Sequence, residues 1–434
     1  MRINKEIFRL AIPAIITNIT IPLLGLIDIT IAGHMGNASF IGAIAVGAMM
    51  FNLVYWNMAF LRMGTTGLTA QSFGKGDKDG MKYILLRSSL IGLLIGLLII
   101  ALQYPLQWIA LLAISPSNEV IILAQKYFYI CVWGAPAILM TMAIKGWLLG
   151  MQNSKYPMYI SIGVNILNII ISLWAVFILE LGFIGIAIGT VVAEYLGIIF
   201  ALVLLHKKYK YIIRYINWSK CLRGNDINKF FSVNRDIFIR SLCLMSVTLF
   251  FMAVGARSGD LILAVNALIM QLFVMFSYFM DGFAFAGEAL VGRFAGAKNH
   301  IAIKLTIRNL FYWATIITVI FVIAYGYGNR EIFGFLTDDN SIIDVASNYT
   351  CWIVLIPIAG VSAFIWDGVF IGLTATKQMV FSILAATAMF FIAFFVFPQE
   401  SINDRLWLAF ILYLAMRSIS QWALYSFSIR SNAQ

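Results

Sequence analysis

The stretch Ser88–Leu102, SSLIGLLIGLLIIAL, carries no charged residue and follows directly on Arg87. A helix needs roughly 20 predominantly apolar residues to cross the hydrocarbon core of a bilayer. The apolar character of this stretch continues to Ile114, and runs of the same kind recur along the whole chain. The stretch therefore predicts one of many membrane-spanning helices.

The composition supports this interpretation. Of the 434 residues, 62% are hydrophobic and 11% are charged, whereas soluble domains carry roughly 25% charged residues. The formal net charge is +11, but the basic residues lie in short loops between apolar runs, so nucleic acid is not an expected partner. The four cysteines show no paired spacing, and we expect neither a disulfide nor a metal site.

The apolar runs, taken between polar or Gly/Pro breaks, predict an all-α integral membrane protein of twelve transmembrane helices. The predicted helices span 7–33, 41–72, 83–114, 119–150, 156–179 and 182–205, and then 235–257, 260–295, 304–328, 341–372, 377–397 and 404–428.

One long polar segment, residues 206–234, separates the sixth apolar run from the seventh and is rich in Lys and Arg. It predicts a basic linker between an N-terminal six-helix bundle, 1–205, and a C-terminal six-helix bundle, 235–434. Basic and acidic loops alternate along the chain, and basic loops usually face the cytoplasm. We therefore expect the linker and both termini in the cytoplasm.

The two halves repeat each other in sequence. Phe73–Gly76 aligns with Phe294–Ala297, and Lys145–Gly150 aligns with Asp367–Gly372. Repeats of this kind predict two pseudo-symmetric bundles around a central cavity, in which rocking of the halves gives alternating access to the two sides of the membrane.

Ionisable groups inside membrane spans cost about 2.5–3.5 kcal/mol at the helix centre, so each is a candidate functional residue. The alignment places Arg62 opposite Asp281 and Lys145 opposite Asp367, so equivalent positions carry opposite charges. Either these acids pair with the bases across the cavity, or they bind a cationic substrate. We assign to this substrate or charge network Arg62, Lys145, Asp281, Glu288 and Asp367.

A second group of polar residues predicts an ion site in the first half. Asp28 lies on the first predicted helix near one stripe with Asn18 and Gly25. Polar residues at helical spacing form one face of the fifth helix, and the sixth helix adds two more. A carboxylate flanked by amide and hydroxyl oxygens suits a proton or a sodium ion. The candidate ion-coupling residues are Asp28, Asn168, Ser172, Thr190 and Glu194.

Several motifs together resemble the multidrug and toxic compound extrusion (MATE) transporters. They are the segment Asp28–Gly36, Gly64-Thr-Thr-Gly67 with Ala70-Gln71, and the glycines at 182, 185 and 189. Asp281-Gly282 with Glu288–Gly292, and Trp366-Asp367-Gly368, resemble the DinF-like branch of that family.

The resemblance implies a twelve-helix fold that exports amphipathic or cationic compounds in exchange for protons or sodium ions. It implies a coupling group matched here by Asp28, Asn168 and Thr190. Many relatives carry a second acid at the position of Ser172, and its absence favours a proton over sodium as the coupling ion. The resulting expectation is a monomeric antiporter for small molecules in the bacterial inner membrane, without a cofactor apart from H⁺ or Na⁺.

Other classes fit the sequence less well. No glycine-rich phosphate loop is present to bind ATP, and the three histidines show no HExxH spacing for a metal-dependent enzyme. We therefore expect no enzymatic activity and no catalytic residue. A lipid-linked precursor flippase of the same wider superfamily stays open as an alternative, as does sodium-coupled export. Such flippases tend to line the cavity with more cations, whereas both signs occur here.

Overall fold

The computed structural model describes residues 2–35, 38–114, 118–213, 221, 224–397 and 401–429. In these ranges the regular structure is helical and contains no strand. Twelve helical spans are long and apolar enough to cross a membrane, which confirms the predicted all-α fold of twelve transmembrane helices. The chain is a multi-pass membrane protein.

The first half of the chain contributes nine α-helices within the described residues. They are α1 (Arg2–Gly33), α2 (Ala38–Asn57), α3 (Phe60–Lys75), α4 (Lys78–Ala101), α5 (Gln103–Ile114), α6 (Asn118–Cys131), α7 (Ala135–Gly150), α8 (Lys155–Leu173) and α9 (Phe183–Ile213).

The second half contributes eight more in its described part. They are α10 (Gly224–Arg257), α11 (Asp260–Gly296), α12 (His300–Tyr327), α13 (Asn329–Leu336), α14 (Asn340–Ser347), α15 (Thr350–Leu373), α16 (Thr376–Val396) and α17 (Ile402–Leu424).

Four predicted helices are divided in the structure. The run 41–72 breaks between α2 and α3, the run 83–114 breaks at Leu102, and the run 341–372 breaks between α14 and α15. None of these three breaks falls at a glycine or a proline, the residues that usually mark the end of a helix in sequence. The run 119–150 breaks between α6 and α7, where Gly134 and Pro136 do give such a signal. In addition, α9 and α10 extend into the predicted linker 206–234, of which residues 214–220 and 222–223 lie outside the described residues.

The described chain forms two compact units. The N-terminal unit comprises Ile12–Asn234, and the C-terminal unit comprises Met1–Ala11 together with Arg235–Gln434. The first turns of α1 thus belong to the C-terminal unit. There Glu6 forms an ion pair with Arg293, Asn309 donates a 2.9 Å hydrogen bond to Asn4, and the ring of Phe8 packs against those of Phe283 and Trp313.

The two units use the same helix pairings. In the N-terminal unit α7 packs against α3 and α4, and in the C-terminal unit α15 packs against α11 and α12. Likewise α8 packs on α9, and α16 packs on α17. The internal repeat predicted from sequence is therefore also a repeat of structure.

Close glycine contacts fix the register of this repeat. A side chain at Gly146 would collide with the backbone of Arg62, and one at Gly368 would collide with the backbone of Ala284. Both pairs are related by the same offset of 222 residues. The structural counterpart of Arg62 is therefore Ala284, and the predicted equivalence with Asp281 is wrong by one helical turn. The sequence alignment could not detect this shift because apolar helices match each other at several registers.

A second pair of contacts supports the offset. A side chain at Gly150 would approach the carbonyl oxygen of Thr66 to 2.8 Å, and one at Gly372 would approach that of Glu288 to 2.9 Å. These pairs also differ by 222 residues. The predicted equivalence of Lys145 and Asp367 agrees with the same register.

Candidate functional site

Asp28 is the central acidic residue of the N-terminal unit. It lies in the second half of α1 and is 7% exposed. Its Oδ1 atom is buried and accepts no hydrogen bond in the described structure. Burying an ionised carboxylate without a partner is costly, whereas the neutral acid is much easier to accommodate. No hydrogen-bond donor in the described structure therefore stabilises Oδ1 of Asp28 in the ionised form.

Helices α8 and α9 meet through a short polar relay. The amide of Asn168 donates a 3.0 Å hydrogen bond to Thr190 Oγ1, and Ser172 Oγ approaches Asn168 Oδ1 at 3.5 Å. Thr190 in turn donates to the carbonyl of Ile186. The structure therefore brings together three of the residues predicted for ion coupling.

Small residues allow α8 and α9 to approach this closely. A side chain at Gly189 would collide with Ser172, and one at Gly185 would lie 3.0 Å from the backbone of Ala175. The glycines of α9 thus face α8 and the turn that follows it, and their small size permits the close approach. Directly after α8, residues Trp174–Ile178 form a π-helical turn, a feature often found near functional sites.

Tyr127 and Cys131 on α6 complete the surroundings of Asp28, and sequence reasoning missed both. Each interacts electrostatically with Asp28, and the Tyr127 hydroxyl also interacts with Thr190. Tyr127 therefore lies within electrostatic range of both Asp28 and Thr190. An aromatic residue on an apolar helix gives no distinguishing signal, because most such residues face lipid or the core. We call Asp28, Tyr127, Asn168, Ser172 and Thr190 the Asp28 cluster.

The remaining polar residues of α8 have distinct positions. Asn165 donates a 3.1 Å hydrogen bond to the carbonyl of Thr20, two residues before Pro22. This hydrogen bond links α8 to α1 close to Pro22, which has no backbone N–H to donate. Ser161 is buried one turn away.

Glu194 on α9 interacts electrostatically with Lys145 on α7. Tyr55 on α2 also interacts with Glu194. All three residues belong to the N-terminal unit. Glu194 thus has an opposite charge near it, in contrast to Asp28, whose Oδ1 has no hydrogen-bond donor.

The C-terminal unit carries aromatic side chains where the N-terminal unit has its polar relay. At the offset of 222 residues, Asp28, Asn168 and Ser172 correspond to Phe250, Phe390 and Phe394. The ring centroid of Phe250 lies 5.8 Å from that of Phe390 and 5.1 Å from that of Phe394. The positions equivalent to Asp28, Asn168 and Ser172 are therefore occupied by mutually contacting aromatic rings in the C-terminal unit.

Asp367 on α15 lies at the centre of a buried charge cluster in the C-terminal unit. Its Oδ2 accepts hydrogen bonds from Arg240 on α10 and, at 2.6 Å, from Arg417 on α17. Its Oδ1 accepts a 2.6 Å hydrogen bond from Gln421. Arg417 also lies 5.8 Å from the ring centroids of Phe364 and Tyr413. We call Arg240, Asp367, Arg417 and Gln421 the Asp367 cluster.

This geometry corrects the predicted pairing of Lys145 with Asp367. Both carboxylate oxygens of Asp367 are occupied by donors of its own unit, and Lys145 lies near Glu194 instead. Arg240 was missed because it falls near the beginning of a predicted helix, where basic residues are common. Arg417 and Gln421 are four residues apart and share one helix face, a spacing that the sequence did offer.

Three further charged residues were predicted from sequence to bind substrate or to join the charge network: Arg62, Asp281 and Glu288. Glu288 is 1% exposed and packs behind Gly372, and Asp281 on the same helix is half-buried. Arg62, Asp281 and Glu288 all make polar interactions. Their role in substrate binding stays a prediction. In the described ranges, no group of three or more His, Cys, Asp or Glu residues could hold a metal ion.

Twelve spans, an internal repeat and buried charged clusters in each unit define the class of secondary transporters built from two related bundles. The sequence profile of the MatE family matches residues 13–174 and 237–396, one match in each half. The chain belongs to the MatE family, the multidrug and toxic compound extrusion transporters, and to its DinF-like branch. This is a family of transporters rather than of enzymes.

Individual relatives support the same assignment. DNA damage-inducible protein F of Escherichia coli is 35% identical over 97% of this chain and 92% of its own length. A probable multidrug resistance protein NorM of Photorhabdus laumondii is 23% identical over 79% of this chain and 76% of its own. The fold resembles the Vibrio cholerae MATE transporter VcmN in its bent form, with a TM-score of 0.88, 14% identity, and coverage of 99% and 98% of the two chains.

Proposed function

We propose that the chain is a proton-coupled antiporter that exports amphipathic or cationic small molecules by alternating access. The observation that carries this proposal is the buried Oδ1 of Asp28, which has no hydrogen-bond donor. A carboxyl group that binds and releases a proton inside the membrane can drive transport if its two charge states favour different conformations of the protein.

The Asp28 cluster supports a proton more than a sodium ion. It contains one carboxylate, and Ser172 stands where a second acid would add negative charge. The amide nitrogen of Asn168 donates to Thr190, so this hydroxyl oxygen already accepts one hydrogen bond. A proton requires a single carboxylate oxygen, whereas a dehydrated sodium ion requires several oxygen ligands at once. Sodium coupling is the second candidate.

Export of drug-like molecules rests on the family and on the names of relatives. NorM of Photorhabdus laumondii is named a probable multidrug resistance protein. The rival proposal, a lipid-linked precursor flippase of the wider superfamily, predicts an excess of cations in the transport path. Both units here carry acidic and basic residues in their buried clusters. We further propose a monomer in the bacterial inner membrane, with both termini in the cytoplasm.

Proteoliposome transport of a fluorescent cation tests the proposal. With an imposed proton gradient, the parental protein should accumulate the cation, and a sodium gradient alone should give no accumulation. Asp28→Asn should insert normally, because an amide is cheaper to bury than a carboxylate, but should lose gradient-driven transport. Asp260→Asn, which removes an exposed acid at the start of α11, is the matched control and should transport at the parental rate. Accumulation driven by a sodium gradient alone would show that sodium, and not the proton, is the coupling ion. Full activity of Asp28→Asn would show that Asp28 is not a coupling residue.

A further inference from the structure

A mainly apolar groove lies among α4, α7 and α9 of the N-terminal unit. Its volume is about 890 Å³, within the range of sites that hold small organic ligands. Leu85 on α4, Ile144 on α7 and Leu205 on α9 form its floor, and all three are at least nine-tenths buried. Leu86, Met140 and Leu202 line its sides. The groove therefore offers an apolar path between three membrane-spanning helices.

One end of the groove is cationic. His206, Lys210 and Tyr211 line it near the end of α9, and each of them is exposed. Within the part of the chain that the structure describes, Lys210 forms neither a hydrogen bond nor an ion pair. Leu202 and Lys210 are separated by eight residues, or about 12 Å along the helix axis. An apolar body and a free cation thus lie on one continuous stripe.

We propose that this groove binds an anionic phospholipid, with an acyl chain along its apolar floor and the phosphate at Lys210 and His206. The groove is formed by helices that cross the bilayer, so lipid is the medium that surrounds them. The positive charge of Lys210, which has no partner among the described residues, selects an anionic headgroup over a zwitterionic one, because basic pockets between membrane helices attract lipid phosphates. Tyr211 lies at this end, where amphipathic rings usually meet the headgroup region.

Neighbouring lysines provide a contrast. Lys208 lies over the rings of Tyr156 and Tyr209, at 5.0 and 5.6 Å from their centroids, and it does not line the groove. The positive charge of Lys208 is therefore directed to the other side of α9. A specific lipid site depends on Lys210 and not on Lys208, whereas general attraction to the membrane depends on both equally.

Native mass spectrometry of the purified full chain in detergent tests the proposal with two probes, phosphatidylglycerol and phosphatidylethanolamine of identical acyl chains. Phosphatidylglycerol should bind about fivefold more tightly or better. Lys210→Glu should remove this preference, and Lys208→Glu should retain it. Equal affinity for the two lipids, or the same loss in both variants, would overturn the proposal.

A second pair of variants tests the groove itself. Ser89 lines the groove and is half-buried, so Ser89→Trp should fill it and weaken the binding of both lipids. Leu90→Trp is the matched control, since Leu90 is 38% exposed and lies outside the groove, and it should bind as the parental chain does. If Ser89→Trp binds phosphatidylglycerol normally, the anion binds at the surface without the groove, and the proposal fails.

Discussion

At the scale of single residues, the two units carry charge pairs of opposite polarity at related positions. Lys145 and Asp367 are repeat equivalents, and each interacts with a residue of opposite charge. Lys145 interacts with Glu194 on α9, and Asp367 interacts with Arg417 on α17. The sequence correctly indicated that these charges must be compensated inside the membrane. It could not identify the partners, because Glu194 and Arg417 lie on other helices, and the sequence does not specify how these helices pack against α7 and α15.

Loss of the Asp367 carboxylate should destabilise the protein strongly. Asp367→Asn leaves two buried arginines without an anion, and stranding one member of a buried ion pair typically costs about 3–5 kcal/mol. Arg240→Gln should cost less, since Arg417 and Gln421 still occupy the carboxylate. Thermal unfolding of both variants in detergent measures the difference. Equal stability of Asp367→Asn and the parental chain would mean that the cluster is solvated.

The proximity of Lys145 and Glu194 should appear as energetic coupling. Lys145→Met and Glu194→Gln each remove one charge and leave the other less compensated, so the double variant should lose less transport activity than the two single losses combined. A double-mutant cycle on the initial transport rate measures this coupling. Strictly additive losses would show that the two residues act separately.

At the scale of helices, the sequence predicted the number of spans but not their internal breaks. Apolar runs define spans because each unpaired backbone group in lipid costs several kcal/mol, which forces every run into a helix. The breaks after α2, α4 and α14 lack glycine and proline, so tertiary packing decides them. The polar face of α8 was predictable from its spacing, whereas the contribution of Tyr127 on α6 required the three-dimensional packing.

The contact between α8 and α9 should be sensitive to a single methyl group. Gly189→Ala would place a Cβ against Ser172, next to the hydrogen bond between Asn168 and Thr190. Overpacking of this kind typically costs about 1–3 kcal/mol, and transport should fall as the relay is displaced. Thermal unfolding and initial transport rates report the two effects.

Gly163→Ala on α8 is the matched control for this prediction. Its added methyl group would meet only Phe200, at an ordinary van der Waals distance of 3.6 Å. Because alanine favours helix over glycine, this variant should be as stable as the parental chain or more so. If both alanine variants behave alike, the close contact at Gly189 does not constrain the relay.

At the scale of the whole molecule, the orientation in the membrane follows from the distribution of charged loops. Lys298, in the turn between α11 and α12, should face the cytoplasm, and Asp338, between α13 and α14, should face the opposite side. Both residues are exposed. With native Cys351 replaced by serine, an impermeant thiol reagent on intact cells should label Asp338→Cys and spare Lys298→Cys. The reverse labelling pattern would show that the protein has the opposite orientation in the membrane.

If protons drive transport as proposed, the polar relay of the N-terminal unit and the aromatic contacts of the C-terminal unit predict one coupling site per molecule. Phe250 replaces Asp28 at the equivalent position, so the second unit has no copy of the acid. Asp367 cannot substitute for it, since three donors hold its oxygens, and Glu194 has Lys145 as an electrostatic partner. One exchangeable proton should therefore move per transport cycle.

The balance between opposing gradients measures this number. With the membrane potential set to zero, one proton per cycle makes a pH difference of one unit balance a substrate gradient of about tenfold, because each factor of ten in either gradient has the same free energy. Two protons per cycle would balance about a hundredfold. The substrate gradient at which net flux stops in proteoliposomes distinguishes the two values. Asp28→Asn should show no such balance point, since its flux should follow the substrate gradient alone. A hundredfold balance point would require a second titrating group, and Glu194 would then be the residue to replace.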